Sequence, residues 1–496
     1  TPFSQMVQYT RANDRRIAAE AQHGGGIRSA SVDPAMLLDE PPGPDDRGPL
    51  EATGGGLAGM RPIATPLAAS GFSPRALALL GQRLAPLGMA PMAGGAAQEE
   101  ILRREGDKPL VPGAPLSVAM VTGDFDLSGI GTVTHVEGDR VYGFGHPMMG
   151  LGACEFPMMT GYIHTVYPRA SVSMKMGSPL KVVGVLDTDV STGVAGRLGP
   201  KPDLLPVSVH VQAGHYAEPH TYRVAMVREP TMLPTLVLAV LANAIDTEGN
   251  LPDELTAHLS VTVRLKDHAP ITLIDTYSGP RYAGPMGPAA LFGPVSQVVS
   301  LLVRNPMGPV RIEAIDCDIT IDAGRKLADV ESVRLASDRL EPGETLRAVA
   351  ILKPFKGSRQ TVELDLKLPA DLPEGSYEAT LCDSATSLRR RLRNEPGLLE
   401  PRDLDAILRV IRFQTEPKRT SLYLHVPLPD RGLAVHGQSL PNLPGSVRAV
   451  FSTSRQTLDP PVKADLVQAV ETPWVVEGSQ ALKFTVVKDD GLMLKD

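Results

Sequence analysis

The chain has 496 residues, 49 of them basic and 56 acidic, a net charge of −7, and only 4% aromatic residues. This balance argues against nucleic acid as the main partner, and the scarcity of aromatics argues against base-stacking platforms. The length accommodates about two to four domains, and 47 glycines with 46 prolines favour turns and short strands over long helices.

Residues 1–22 are predicted to be helical. Thr1 and Pro2 make the cap and first turn, and Phe3, Met6, Tyr9 and Ile17 fall roughly on one face. Residues 23–60 carry two triple-glycine runs and a PPGPDD stretch and read as a flexible linker. Residues 61–109 read as a helix with connecting loops, the helix spanning Ser73 to Leu84 with Ser73 as cap and Pro74 at its first position.

From Leu110 the pattern turns to β, with alternation at Leu116, Val118 and Met120 and frequent glycines. Strands are predicted at Val182–Leu186, Val207–Gln212, Tyr222–Val227 and Thr256–Leu265. Two apolar helices interrupt them, at Met232–Ile245 and Ala289–Val303. The first is shorter than the ~18–20 residues of a membrane span and contains Pro234, so a buried core helix is expected. Residues 309–383 read as an immunoglobulin-like β module, opening on the alternating stretch Pro309–Ile321 and continuing through runs separated by EPGE and LPEG turns. Residues 384–496 read as a small α+β region with a helix at Asp403–Phe413 and strands at Ser421–Val426 and Leu482–Val487. Its basic run, Arg389, Arg390, Arg391 and Arg393, is expected to be a solvated helix face.

Three cysteines, Cys154, Cys317 and Cys382, have neither disulfide-framework nor zinc spacing and allow at most one bridge. The chain begins at Thr1 without methionine, from which a processed or partial product is expected.

The most informative segment is Gly129–Gly150, GIGTVTHVEGDRVYGFGHPMMG. It reads as a strand, an acidic turn at Glu137-Gly138-Asp139, a return strand and a small-residue elbow presenting His146. An imidazole held on a rigid strand end suits a general base, because its ordinary pKa lies near neutrality.

The Gly131-Thr132-Val133-Thr134 and Gly145-His146 pair resembles the GTxT…GH signature of the sporulation stage IV B serine peptidases, and Lys175–Gly199 resembles that family's continuation. The similarity covers roughly Leu110 to Val227, about a quarter of the chain. The resemblance implies a chymotrypsin-like β-barrel domain over 110–308, with His146 as general base and a bacterial envelope location, periplasmic or secreted. The family's nucleophile lies in a GxSGSP motif, which this chain does not contain. Ser178 in Met176-Gly177-Ser178-Pro179 matches it only superficially. Relatives of the FGHP form place an SGSP segment upstream, followed by a TPF-like stretch such as Thr1-Pro2-Phe3. The resemblance therefore implies a nucleophile on an N-terminal fragment, removed by cleavage or self-cleavage.

Asp187 and Asp189 are candidates to orient the imidazole, with a turn role as the alternative. His210, His215 and His220 are five residues apart, which puts successive side chains on opposite strand faces, so no metal site is expected. Met148, Met149, Met158 and Met159 are expected to fill the core. The whole reads as a mainly β protein that binds protein partners and no cofactor. As an isolated chain it is non-catalytic and structural or protein-binding. The alternative is a serine endopeptidase whose nucleophile sits on its own N-terminal fragment.

Overall fold

The computed structural model describes residues 3–8, 10, 12, 64–95, 97–168, 174–214, 217–248, 251–281, 287–305, 307–308, 310–395, 398, 401, 403–429, 433–435, 438–440 and 464–488. The predicted linker 23–60 and most of the 1–22 helix lie outside them. Helix α1 includes residues 3–8, 10 and 12.

The fold is mainly β. Thirteen strands form one curled sheet: β1 (Thr65–Ser70), β2 (Met89–Ala93), β3 (Pro115–Gly123), β4 (Asp126–Glu137), β5 (Arg140–Gly143), β6 (Gly152–Tyr167), β7 (Met174–Val190), β8 (Gly193–Leu198), β9 (Leu204–Gln212), β10 (His220–Val227), β11 (Glu254–Leu265), β12 (Ile271–Pro280) and β13 (Ile312–Ala323). Their order is β12-β11-β13-β9-β10-β3-β6-β7-β8-β5-β4-β1-β2. Strand β3 pairs with β4 as well as with β6, so β3, β6, β7, β8, β5 and β4 close into an antiparallel ring. Closure removes the unpaired edges that an open sheet would expose.

The region 61–109 does more than connect. Strands β1 and β2 run parallel at the end of the sheet, joined through α2 (Pro74–Leu84). A parallel pair needs such a crossover. The Ser73 side chain accepts from the Ala76 N–H and Pro74 occupies the first turn, as the sequence indicated. The buried Asn243 ties this crossover down, accepting from the Ser73 N–H at 2.7 Å and donating to the Gly71 carbonyl at 2.9 Å. Asn243 lies on α4 (Leu233–Asp246), which is buried nearly throughout. The remaining helices of this part are α3 (Glu99–Glu105) and α5 (Gly293–Arg304). Among the described residues no helix is long and apolar enough to cross a membrane.

The second part is a sandwich. Strands β14 (Leu327–Leu335), β15 (Arg339–Leu340), β16 (Thr345–Pro354), β17 (Gln360–Lys367), β18 (Gly375–Cys382), β19 (Ser421–Pro427), β20 (Leu433–Val435), β21 (Gln438–Leu440), β22 (Asp465–Glu471), β23 (Val475–Glu477) and β24 (Ser479–Val486) follow, with α6 (Ser384–Asn394) and α7 (Leu404–Thr415) between β18 and β19. The sheets β17-β16-β14-β23 and β15-β24-β18-β19-β22 share one core, which includes Leu346, Leu364, Leu381, Leu424 and Phe484.

Two expected boundaries shift. Strand β13, placed by sequence at the head of the module beginning at 309, lies between β11 and β9 in the large sheet. The stretch after 384 is not a separate unit, since β19, β22 and β24 complete the sheet of β18 and β23 pairs with β14. Local alternation identifies a strand but not its partner, and both corrections concern partners distant in sequence. All three cysteines are free thiols.

Candidate functional site

The elbow after β5 is built by an exchange of space between two residues. Phe144 has φ +68° and Gly145 φ +74°, both left-handed, and together they turn the chain sharply out of the strand. A phenylalanine in that region carries strain of about 1–2 kcal/mol, so its surroundings must hold it there. The Phe144 N–H donates to the Thr132 carbonyl at 3.0 Å, and its ring lies where a Cβ on Gly131 would stand. The glycine of the GTVT stretch therefore makes room for the aromatic ring that precedes His146.

His146 is exposed. Its Nδ1 lies 2.8 Å from the Pro147 carbonyl oxygen. A carbonyl only accepts, so Nδ1 carries the proton and the lone pair is on Nε2. This is the tautomer a general base needs.

Behind the histidine the loop is pinned by Asp189, which has no exposed surface. Its Oδ1 accepts from the Met148 N–H at 2.8 Å, and its Oδ2 accepts from Met149 at 2.7 Å, Gly150 at 2.8 Å and Leu151 at 3.5 Å. Successive backbone N–H groups converging on one carboxylate form an anion nest. Asp187 has other partners: Arg140 at 2.6 Å, Arg197 at 3.4 Å and the Thr188 hydroxyl at 2.9 Å. Asp187 and Asp189 both sit in strand β7 rather than in a turn, and no hydrogen bond joins either to His146 among the described residues. Asp189 holds the backbone of the loop that follows His146. The sequence signal for that role is faint: a glycine-rich MMGLG loop rich in N–H donors, and an acid about 40 residues on.

Ser178 is fully buried and donates to the Gly95 carbonyl at 2.8 Å. The Nε2 of His164, 2.9 Å away, therefore acts as donor to it. The hydroxyl proton is committed and the oxygen is unreachable, so this pair is not an activated nucleophile. His210 Nδ1 bonds the Thr221 hydroxyl at 3.0 Å, and His220 rests against the Tyr222 ring. His215 lies outside the described residues. Among the described residues no group of three metal-ligating side chains converges. The four methionines near the elbow pack in or against the core. Burial pushes the Cys154 thiol far above its usual range, so it is no nucleophile either.

The basic run departs in part from expectation. Arg390 reaches inward to Asp465, while Arg391 lies over the Phe413 ring and bonds Glu416 at 2.7 Å. Arg389 and Arg393 are exposed, as expected, whereas Arg390 and Arg391 are half-buried and bridge to neighbouring elements.

No family model, curated protein or solved structure matches this chain.

Proposed function

We propose that this is a peptidase-like protein of the bacterial cell envelope, periplasmic or secreted, whose chain is non-catalytic alone and serves as a structural or protein-binding component. The resemblance of residues 131–134, 145–146 and 175–199 to the sporulation stage IV B serine peptidases supports this. So does the six-strand antiparallel ring, the kind of unit from which a chymotrypsin-like double barrel is built. On this reading the two-sheet module is immunoglobulin-like and offers the interaction surface.

The observation that carries the reading is the elbow. His146 presents a free Nε2 to solvent on a pinned loop, and among the described residues no serine hydroxyl bonds to it. A base alone cannot perform acyl transfer.

A second reading, a serine endopeptidase whose nucleophile lies on its own N-terminal fragment, is favoured by how α1 docks. Phe3 packs on His135 and Tyr142 with ring centroids 4.4 and 5.3 Å away. Met6 is buried against Tyr142, Ala195 and Gly193. A Cβ on Gly193 would lie 3.5 Å from the Gly145 nitrogen, so α1 sits beside the base of the elbow. A serine-bearing segment preceding Thr1 would enter there.

Intact-mass and N-terminal analysis of the native protein, with fluorophosphonate labelling, separates the two readings. A tightly bound SGSP-bearing fragment that labels, and stops labelling in His146→Ala, establishes the endopeptidase. No labelling with stable co-purification of envelope proteins establishes the scaffold. Labelling of a serine within residues 1–496 would overturn both.

A further inference from the structure

Helices α6 and α7 pack into the core of the main body. Leu392 of α6, with Ile407, Leu408 and Ile411 of α7, packs into the core of the large sheet. Among the described residues, the sandwich core receives no side chain from either helix.

What α6 offers the sandwich is polar. Ser387 Oγ lies 2.9 Å from Nε2 of His425 on β19. His425 Nδ1 lies 3.2 Å from Oδ2 of Asp465 on β22. Arg390 grips the same carboxylate through Nε and, at 3.3 Å, through Nη2, and its Nη1 donates to the Thr380 hydroxyl on β18 at 3.2 Å. Ser387 and His425 have no exposed surface, and the Asp465 side chain is 5% exposed.

Serine, histidine and aspartate in this order form the chain of an acyl-transfer triad. Access removes the cluster from that class. Ser387 is sealed within a helix, and a nucleophile that cannot meet its substrate does no chemistry. The arrangement has the logic of a fastening instead. Asp465 balances the Arg390 charge and accepts the His425 Nδ1–H, which leaves Nε2 to accept from Ser387. A fully satisfied buried network fixes one geometry, whereas a partly satisfied one costs stability. Cys382 on β18, a titratable group beside the cluster, stays neutral, its thiol pushed up to about 12 chiefly by burial.

We propose that Ser387, Arg390, His425 and Asp465 form a latch that fixes the sandwich against the helices of the main body. A second bridge between the two parts, Arg419 to Asp275 at 3.2 Å, is more exposed and correspondingly weaker.

The test uses the full chain. Trypsin cleavage after Arg389, Arg391 and Arg393 and the radius of gyration in solution are compared for wild type, His425→Ala, Asp465→Ala and Ser387→Ala. Removing one partner of a buried charge network is expected to speed cleavage roughly a hundredfold and to enlarge the particle. Ser387→Ala, which deletes only a hydroxyl, is expected to speed it about tenfold with the fold intact. Wild-type cleavage and dimensions in all three variants would overturn the latch. So would loss of the sandwich's own melting transition in Asp465→Ala with Ser387→Ala unchanged, which would make the network internal to the sheet. Fluorophosphonate labelling of Ser387 would overturn it too, by showing an open site.

Discussion

His146 and His425 have opposite settings. His146 stands in solvent on a strained turn, its Nδ1 proton on a backbone carbonyl and its Nε2 unengaged among the described residues. His425 has serine on one nitrogen and aspartate on the other, with no surface exposed. One has access without a nucleophile, and the other has a nucleophile's geometry without access. Catalysis needs both at one place, so partner geometry alone does not make His425 a base. The carboxylates beneath them divide similarly. Asp189 is held by backbone N–H groups and Asp465 by side-chain donors, and this difference can be tested by substitution.

The largest effect is expected at Asp189. Asp189→Ala takes the acceptor from the N–H groups of Met148, Met149 and Gly150, of which that of Met148 is buried, and should cost about 3 kcal/mol in denaturant unfolding. A loss under about 1 kcal/mol would show that the elbow is held by something other than its nest.

Asp126 provides the contrast of a carboxylate that neither device holds. Burial raises its pKa to about 6, opposed only by a hydrogen bond from the Gly123 backbone. Its folded pKa lies above the ordinary ~3.9, so the native state binds more protons than the unfolded state between those values. Its contribution to stability is therefore most favourable below about pH 4 and declines as pH rises through 6. Asp126→Asn should gain about 2 kcal/mol at pH 8 and nothing at pH 3.5, read from urea midpoints at both pH values.

What the sequence shows and conceals follows the range of the interactions. The Ser73 cap with Pro74, the Asp403 cap that receives the Ala406 N–H, and the buried helix beginning near Met232 are decided within a few residues, and all are present. The elbow is local too, from two left-handed residues and the glycine that admits the Phe144 ring. Asp189's role is not local, since its partners lie 38–41 residues away in the loop before β6. Nor is the pairing of β13 with β9, or the crossing of β23 into the sheet of β14. Asp187 and Asp189 sit two apart in LDTD, yet one meets arginines and the other a buried nest, where the β7–β8 register shifts between Leu186 and Thr188. No periodicity announces that shift.

Asp465 sharpens the comparison from the acid side. Burial alone would raise its pKa, but the hydrogen bonds of His425 and Arg390 outweigh burial and hold it below the usual carboxylate value. A depressed pKa gives stability that is full above the unfolded value of ~3.9 and is lost as pH falls through the folded one. Asp465→Asn should thus cost about 1.5 kcal/mol near neutrality and progressively less towards pH 2, by thermal melting across that range. A pH-independent difference would mean that shape rather than charge matters at the latch.

The smallest effect on stability is expected at His146 itself. Its ring is solvated, and among the described residues its hydrogen bond is to the adjacent carbonyl, so His146→Ala should shift unfolding by less than about 0.5 kcal/mol. A residue that contributes so little to the fold, on a loop whose neighbours are held so firmly, makes any other effect of its removal interpretable. Loss of fluorophosphonate labelling or of processing in that variant, at unchanged stability, would then report chemistry at Nε2. A loss of several kcal/mol would instead make His146 a structural part of the turn and remove the ground for treating it as a base.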